Sequence, residues 1–357
     1  MGRYYINDGK RRQLTESILE MIRTAKSYIK ISSFVMEDQM VVEELRHIAY
    51  SGKVAVFVIS NRNKREDEEY ISTKVKKDKV DMKDNVDAEG IHAHRVFLQK
   101  MYYSGVHVRL LDNLHAKFVI TDGQKGVLMS ANIASNSLNK NVETGISVEG
   151  DDLKSLELVF DTMYNYADIV QFVQSDRSDV IKMSVKKLPN QIFEGIKGNI
   201  RLTAISHNQT NLSECKQTSI YDSIIKIIDE SESFVYIVAW VFKDKRGTLS
   251  KLKYAIDRAV KRGVKITLLY NDKGNISNQA IQQQYIFEMG KIGCDAYPAT
   301  NNHSKCVLSD KTGMLFTANI DGNNGLLEGF EVGCMMDEEQ HLQAVKHIEE
   351  LIKIAKR

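Results

Sequence analysis

The feature that most constrains this chain of 357 residues is a block it carries twice. Residues 115–132 read His-Ala-Lys-Phe-Val-Ile-Thr-Asp-Gly-Gln-Lys-Gly-Val-Leu-Met-Ser-Ala-Asn. Residues 303–319 read His-Ser-Lys-Cys-Val-Leu-Ser-Asp-Lys-Thr-Gly-Met-Leu-Phe-Thr-Ala-Asn. Apolar strand formers flank Asp122-Gly123, a strong turn signal, so the first copy reads as a β-hairpin. Side chains alternate along a strand, which puts His115 and Lys117 on one face and Phe118 and Ile120 on the other. A turn centred on Gly123-Gln124 sets Lys117 opposite Ser130 and His115 opposite Asn132. The second copy is one residue shorter in its turn, and Lys305 is expected opposite Thr317, with His303 opposite Asn319. Both copies keep the spacing His-x-Lys-x4-Asp, ending at Asp122 and Asp310, and both are followed by a glutamate, Glu143 or Glu331. An imidazole, an ammonium, a hydroxyl and an amide on one face are what a phosphate site needs.

The surroundings repeat as well. An apolar stripe of Leu14, Ile18, Met21, Ile22 and Ala25 predicts a helix over 13–26, followed by a strand from Tyr28, a helix over 41–50 and a near-continuous apolar strand over 53–59. The second half predicts the same order: helix 219–229, strand 234–240, helix 249–261 and strand 264–270. This is an α/β chain of two similar halves, each a mixed, mostly parallel sheet flanked by helices, related by a pseudo-twofold. The expected division is 1–175 for the first half, 176–215 for a polar, irregular connection and 216–357 for the second half. The motif hairpins are expected at the interface of the halves. The first half is longer, mostly through residues 61–95. Between Asn61 and Lys100 there are ten basic and nine acidic residues, the pattern of a solvated helix or loop, with a lid or strand-guiding arm as the alternative.

Two His-x-Lys-x4-Asp motifs, each with a downstream Ser/Thr-x-Asn and a glutamate, resemble the phospholipase D superfamily. Two departures stand out: Met129 occupies the position before the serine where that family commonly has glycine, and Thr317 replaces the second serine. The resemblance implies a phosphodiester-acting enzyme in which His115, Lys117, His303 and Lys305 are catalytic. It assigns Glu143 and Glu331 to orienting the histidines, and makes Asp122 and Asp310 structural, in agreement with their place at the hairpin ends. Ser130, Asn132, Thr317 and Asn319 are expected to bind substrate. Histidine, with an ordinary pKa of roughly 6.5, suits both nucleophile and general acid. The expectation is a phosphohistidine intermediate on His115, the histidine that two-motif relatives commonly use, with His303 as the acid. Phe34 and Trp240 end corresponding strands and are candidates for the pocket wall.

No cofactor is needed for this scheme, and no metal, because the two lysines supply the positive charge. His92 and His94 form a lone pair of metal-ligand type without a Cys or His companion nearby. The four cysteines form no Cys-x-x-Cys pair, no stretch reads as a signal peptide, and no apolar run reaches the ~18 residues of a spanning helix. A cytoplasmic protein is therefore expected. A net charge of +2 permits nucleic acid as a partner without demanding it. The leading reading is a metal-independent nuclease acting on DNA or RNA. The alternatives are a phospholipase D or phosphatidyl transferase acting on lipid head groups, and a nucleic-acid-binding subunit beside an ATPase or helicase. One chain encodes both half-sites, so a monomer suffices for one site, and dimerisation is compatible with it.

Overall fold

The computed structural model describes residues 2–62, 87–172, 180–183, 195–205, 216–273, 276–322 and 325–356. The first half opens with β1 (Tyr4–Asn7), α1 (Gln13–Thr24), β2 (Tyr28–Ser33), α2 (Gln39–Tyr50), β3 (Ala55–Arg62), α3 (Asp87–Tyr103) and β4 (His107–Asp112). The motif hairpin, β5 (Phe118–Thr121) and β6 (Lys125–Met129), is followed by α4 (Ser135–Asn139), β7 (Glu143–Val148), α5 (Gly150–Tyr166), β8 (Asp168–Phe172) and β9 (Val180–Met183). The second half begins with β10 (Ile200–Ile205), β11 (Lys216–Thr218), α6 (Ser219–Glu230), β12 (Phe234–Ala239), β13 (Phe242–Lys243), α7 (Ser250–Lys261) and β14 (Lys265–Tyr270). It continues with α8 (Ile276–Ile292), β15 (Asp295–Pro298), the hairpin β16 (Cys306–Ser309) and β17 (Gly313–Phe316), then β18 (Ile320–Asp321), β19 (Gly329–Met335) and α9 (Glu338–Ala355).

Among the described residues the strands form a nine-stranded sheet, β1-β7-β6-β5-β2-β3-β4-β8-β9, and an eight-stranded sheet, β11-β10-β19-β17-β16-β12-β14-β15. A short pair, β13-β18, stands apart. Both main sheets are mixed, but the parallel share is smaller than expected. The parallel ladders are β2–β3–β4 and β12–β14–β15. These are the strands joined through helices, whereas the hairpins and edge strands add antiparallel neighbours. The stretch expected to be irregular also carries strands. β9 extends the first sheet beside β8, and β10 enters the second beside β19. The signal for β10 was present in the alternation of Ile200, Leu202 and Ala204, all buried. Of the long stretch at 61–95, residues 63–86 lie outside the described residues, 61–62 end β3, and 87–95 enter α3.

Three apolar clusters make a layered body. One packs α1 and α2 on the outer face of the first sheet, and another packs α6 and α7 on the outer face of the second. The third lies between the sheets, where Phe118, Ile120, Leu156 and Phe160 meet Cys306, Leu308, Val332, Ala344 and Ile348. The halves thus share a core, with α5 and α9 inside it.

The hairpin register differs from expectation by one residue. Phe118 pairs with Leu128, and the Met129 N–H donates to the Lys117 carbonyl at 3.1 Å, so Lys117 stands opposite Met129 and not Ser130. Asp122 (φ 57°) and Gly123 (φ 62°) both take the left-handed conformation, closing a type I′ turn on themselves rather than on Gly123-Gln124. In the second hairpin Cys306 pairs with Leu315 and the Phe316 N–H donates to the Lys305 carbonyl, so Lys305 does not stand opposite Thr317.

Each motif aspartate lies at its hairpin end, away from the histidines. The Asp122 carboxylate accepts from the N–H groups of Lys26 (2.9 Å), Ser27 (2.7 Å) and Tyr28 (3.0 Å), fixing the start of β2. Asp310 accepts from Glu232 (3.0 Å) and Ser233 (3.2 Å) before β12. Burial alone would raise the Asp122 carboxyl, but the three N–H donors hold it below its ordinary value. Its stabilising effect is therefore present above the ordinary carboxylate pKa of about 4 and is lost as pH falls through the depressed folded value. Asp122→Ala is expected to lower the unfolding free energy by about 1–3 kcal/mol at pH 7. The gap from wild type should shrink on acidification, as measured by urea melts across pH. A gap that is constant with pH would remove the carboxylate from this role.

Candidate active site

The two motifs begin with the same backbone device. Asn113 and Asn301, each two residues before a motif histidine, adopt φ 60° and 61°. Asn tolerates this left-handed region better than most residues. The carbonyls they turn outward accept main-chain N–H groups of the opposite half, Phe330 to Asn113 at 3.0 Å and Val142 to Asn301 at 2.9 Å. In return, His115 N–H and Ala116 N–H donate to the Phe330 carbonyl at 2.9 and 2.8 Å, and His303 N–H donates to the Val142 carbonyl at 2.9 Å. Sequence reading missed these asparagines, although Asn-x-His precedes both motifs.

Phe330 and Val142 immediately precede the two glutamates, so the bridges deliver each glutamate to the histidine of the other half. His115 Nδ1 lies 2.7 Å from Glu331 Oε1, and His303 Nδ1 lies 2.7 Å from Glu143 Oε1. A carboxylate on Nδ1 holds that nitrogen as the donor and leaves the Nε2 lone pair free. Neither Nε2 has a hydrogen-bond partner among the described residues. The rings keep 22% and 12% of their side-chain surface exposed, while the glutamates are almost fully buried. Phe34 meets the His115 ring edge-on at 5.3 Å, and Trp240 meets His303 at 5.4 Å.

Lys117 and Lys305 are fully buried beneath the histidines. Each ammonium donates to the carbonyl of its own motif histidine, and Lys305 Nζ also lies 3.3 Å from His303 Nδ1. Burial pushes Lys305 down to about 8, against the pull of Glu143 and Glu331, and pushes Lys117 well below its ordinary value against Glu331. Burial also pushes His115 down to about 4; Glu331 opposes the shift, and Lys117 and Lys305 add to it. His303 is lowered too, by burial first, against Glu143, with both lysines adding. Burial alone would raise the Glu143 carboxyl, but His303, Lys305 and the Ser130 hydroxyl hold it below its ordinary value. Each lysine thus acts on both histidines, which makes the two half-sites one electrostatic unit.

Ser130 and Thr317 are placed differently from the expectation that they bind substrate. Their buried hydroxyls donate to Glu143 Oε2 and Glu331 Oε2, and accept the N–H of Thr144 and Val332, each at 3.0 Å. The one proton of each hydroxyl is committed, and none is left for a phosphate oxygen. The reason is the register: one step along the strand moves these side chains from the lysine to the glutamate on β7 or β19. Asn132 and Asn319 differ, since neither amide has a partner among the described residues, and each buries an unpaired oxygen. The His92–His94 pair is not a metal pair on the side that can be described. His94 Nδ1 accepts the Met36 N–H at 2.9 Å, and the side chain of His92 lies outside the description. Among the described residues no three His, Cys, Asp or Glu side chains gather as metal ligands. Cys294, Cys306 and Cys334 are buried free thiols, and no described helix is long and apolar enough to cross a membrane.

Residues 18–164 and 224–353 match the family model described as cardiolipin synthase, PLD-like domain. No curated protein matches the sequence. Among solved structures, phosphatidylserine synthase from Haemophilus influenzae Rd KW20 is similar at a TM-score of 0.61 and 12% identity, over 99% of this chain and 86% of that one. Polyphosphate kinase from Porphyromonas gingivalis is similar at 0.57 and 12% identity over 99% of this chain, which spans about half, 47%, of the kinase. The phospholipase D family member Nuc from Salmonella typhimurium aligns with 47% of this chain at a TM-score of 0.36 and 14% identity.

The hydroxyl of Ser130 holds a glutamate, so its loss should slow turnover rather than weaken substrate binding. With bis(p-nitrophenyl) phosphate as substrate, Ser130→Ala is expected to lower kcat while KM stays within about twofold. A raised KM at unchanged kcat would put the hydroxyl on the substrate instead.

Proposed function

The chain belongs to the phospholipase D superfamily, whose members act on phosphodiesters, and from that premise we propose a metal-independent nuclease that cleaves DNA or RNA through a phosphohistidine. The observation that carries the chemistry is the pair of crossed His–Glu contacts over two buried lysines. His115 Nε2 attacks phosphorus, and the bond to the leaving oxygen breaks as that oxygen takes a proton from His303. Water then gives its proton to His303 and displaces His115 from phosphorus. Lys117, Lys305 and the amides of Asn132 and Asn319 offset the charge on the equatorial oxygens. The nucleophile is assigned to His115, the first-motif histidine that two-motif relatives commonly use; burial lowers both histidines and so leaves either Nε2 unprotonated at neutral pH. A bound phosphate anion favours the protonated form of His303, the form an acid needs.

Phe34 and Trp240, set against the two histidines, support nucleic acid as substrate, since aromatic faces beside a cleaved phosphate offer stacking for bases. The second reading, phosphatidyl transfer, is favoured by the match to the cardiolipin synthase description and by the full-length likeness to phosphatidylserine synthase. Purified protein with EDTA should be incubated with plasmid, single-stranded DNA, RNA and phosphatidylcholine vesicles. Cleavage of a nucleic acid that survives EDTA is expected. Turnover of vesicles alone moves the assignment to lipid, and strict dependence on added magnesium or manganese rejects the mechanism.

Acid-quenched labelling with a phosphate-tagged diester bearing a good leaving group separates the histidines. His303→Ala should form the covalent adduct and release it slowly, lacking a base for water, whereas His115→Ala should form none. Label on His303 in His115→Ala, with none in His303→Ala, means that the roles are reversed. Cleavage by wild type with no adduct in any protein removes the covalent step.

A further inference from the structure

Behind the pocket, two chemically unlike side chains hold the same backbone position in the two halves. His94, on α3, accepts the Met36 N–H at Nδ1 (2.9 Å), and Gln282, on α8, accepts the Phe242 N–H at Oε1 (3.0 Å). They are 188 positions apart, the same offset as His115 and His303. Both are buried, 6% and 7% exposed. Gln282 also donates from Nε2 to the Asn271 carbonyl at 2.8 Å, tying the end of β14 to the same point.

What these acceptors hold leads back to the site. Met36 and Phe242 lie two residues beyond the pocket aromatics Phe34 and Trp240. Each also bridges, in parallel, to the residue that follows a site asparagine, Met36 to Ile133 and Phe242 to Ile320. In the first half the strap is reinforced by the N–H groups of Glu37 and Asp38, which both donate to the Ile133 carbonyl, at 2.6 and 3.0 Å. A buried main-chain N–H without an acceptor is costly, so a missing side-chain acceptor makes the strap shift toward water or another partner. Asn132 or Asn319 then moves with it.

We propose that His94 and Gln282 are positioning residues for Asn132 and Asn319, each fixing through one main-chain hydrogen bond the strap on which a phosphate-binding amide is mounted. The inference rests on reading those amides as substrate ligands. It makes histidine and glutamine interchangeable here, because what counts is a neutral buried acceptor facing the strap. Imidazole basicity has no part in it.

The test is made on the full chain, with hydrogen exchange read by mass spectrometry and with EDTA-treated hydrolysis of bis(p-nitrophenyl) phosphate. His94→Ala is expected to speed exchange in peptides covering 36–38 and 131–134 and to lower kcat about tenfold, the order expected when a reacting group is misplaced by less than about an ångström. His94→Gln should restore both. Gln282→Ala should do the same to peptides covering 242–243 and 320–321, and Gln282→His should restore them. The proposal is overturned if His94→Ala leaves 131–134 protected as in wild type. It is also overturned if kcat per folded molecule does not fall, or if folded His94→Gln behaves as His94→Ala does. A wild type inert toward every diester defeats the functional reading above instead, and the exchange results alone then decide whether the strap is held as proposed.

Discussion

Two carboxylates buried against histidines of the opposite half are the interaction on which the rest of the structure depends. Glu143, Glu331, Lys117 and Lys305 are all removed from water at the seam between the sheets. Any one of them left without its counter-charges would be expensive; breaking a buried ion pair costs on the order of 3–5 kcal/mol. Since each glutamate belongs to one half and its histidine to the other, neither half can satisfy its own charges alone. The shared apolar core between the sheets and the reciprocal main-chain bridges at Asn113–Phe330 and Asn301–Val142 hold the halves in the one arrangement that satisfies them all.

The same crossing gives two half-sites that are similar but not identical. Both histidines have a carboxylate at Nδ1, and both sit over a buried ammonium. Yet while both ammonium groups donate to the carbonyl of their own motif histidine, Lys305 also approaches the ring, 3.3 Å from His303 Nδ1. The hydroxyls show the economy of the design. Ser130 and Thr317 each consume their proton on a glutamate and accept a neighbouring N–H, so replacing serine by threonine in the second copy retains both bonds. Met129, in place of the glycine common in relatives, is buried in the first half's outer core and leaves this network intact.

Much of the molecule was legible before any coordinates. Helix and strand positions followed the apolar spacing closely: the stripe from Leu14 to Ile22 became α1, and the apolar run after Gly52 became β3. The duplicated block marked the histidines, lysines and asparagines that the fold gathers at the seam. Several readings failed for identifiable reasons. Expecting the turn one residue late shifted the register and handed Ser130 to the phosphate. The sign of φ at Asp122 is not a property that composition reveals, and a single step exchanges the neighbours of every side chain in a hairpin. The polar stretch at 172–218 concealed the edge strands β9 and β11, which are only four and three residues long, and β10, whose alternation of Ile200, Leu202 and Ala204 was present but lay among polar neighbours.

The order of residues was enough to establish two halves, the main helices and strands of each, and which polar residue types recur in the duplicated block. Those properties rest on local periodicity and on a repeat that can be read along one dimension. It took the packing of the sheets to show that each histidine takes its glutamate from the other half, 216 residues away for His115 and Glu331. The same packing showed that the serine and threonine serve those glutamates, and that a histidine on α3 does the work of a glutamine on α8. Such pairings depend on how two sheets pack face to face, and a pseudo-twofold brings each residue near its symmetry mate's neighbours rather than its own. No spacing within one copy of the repeat encodes that exchange.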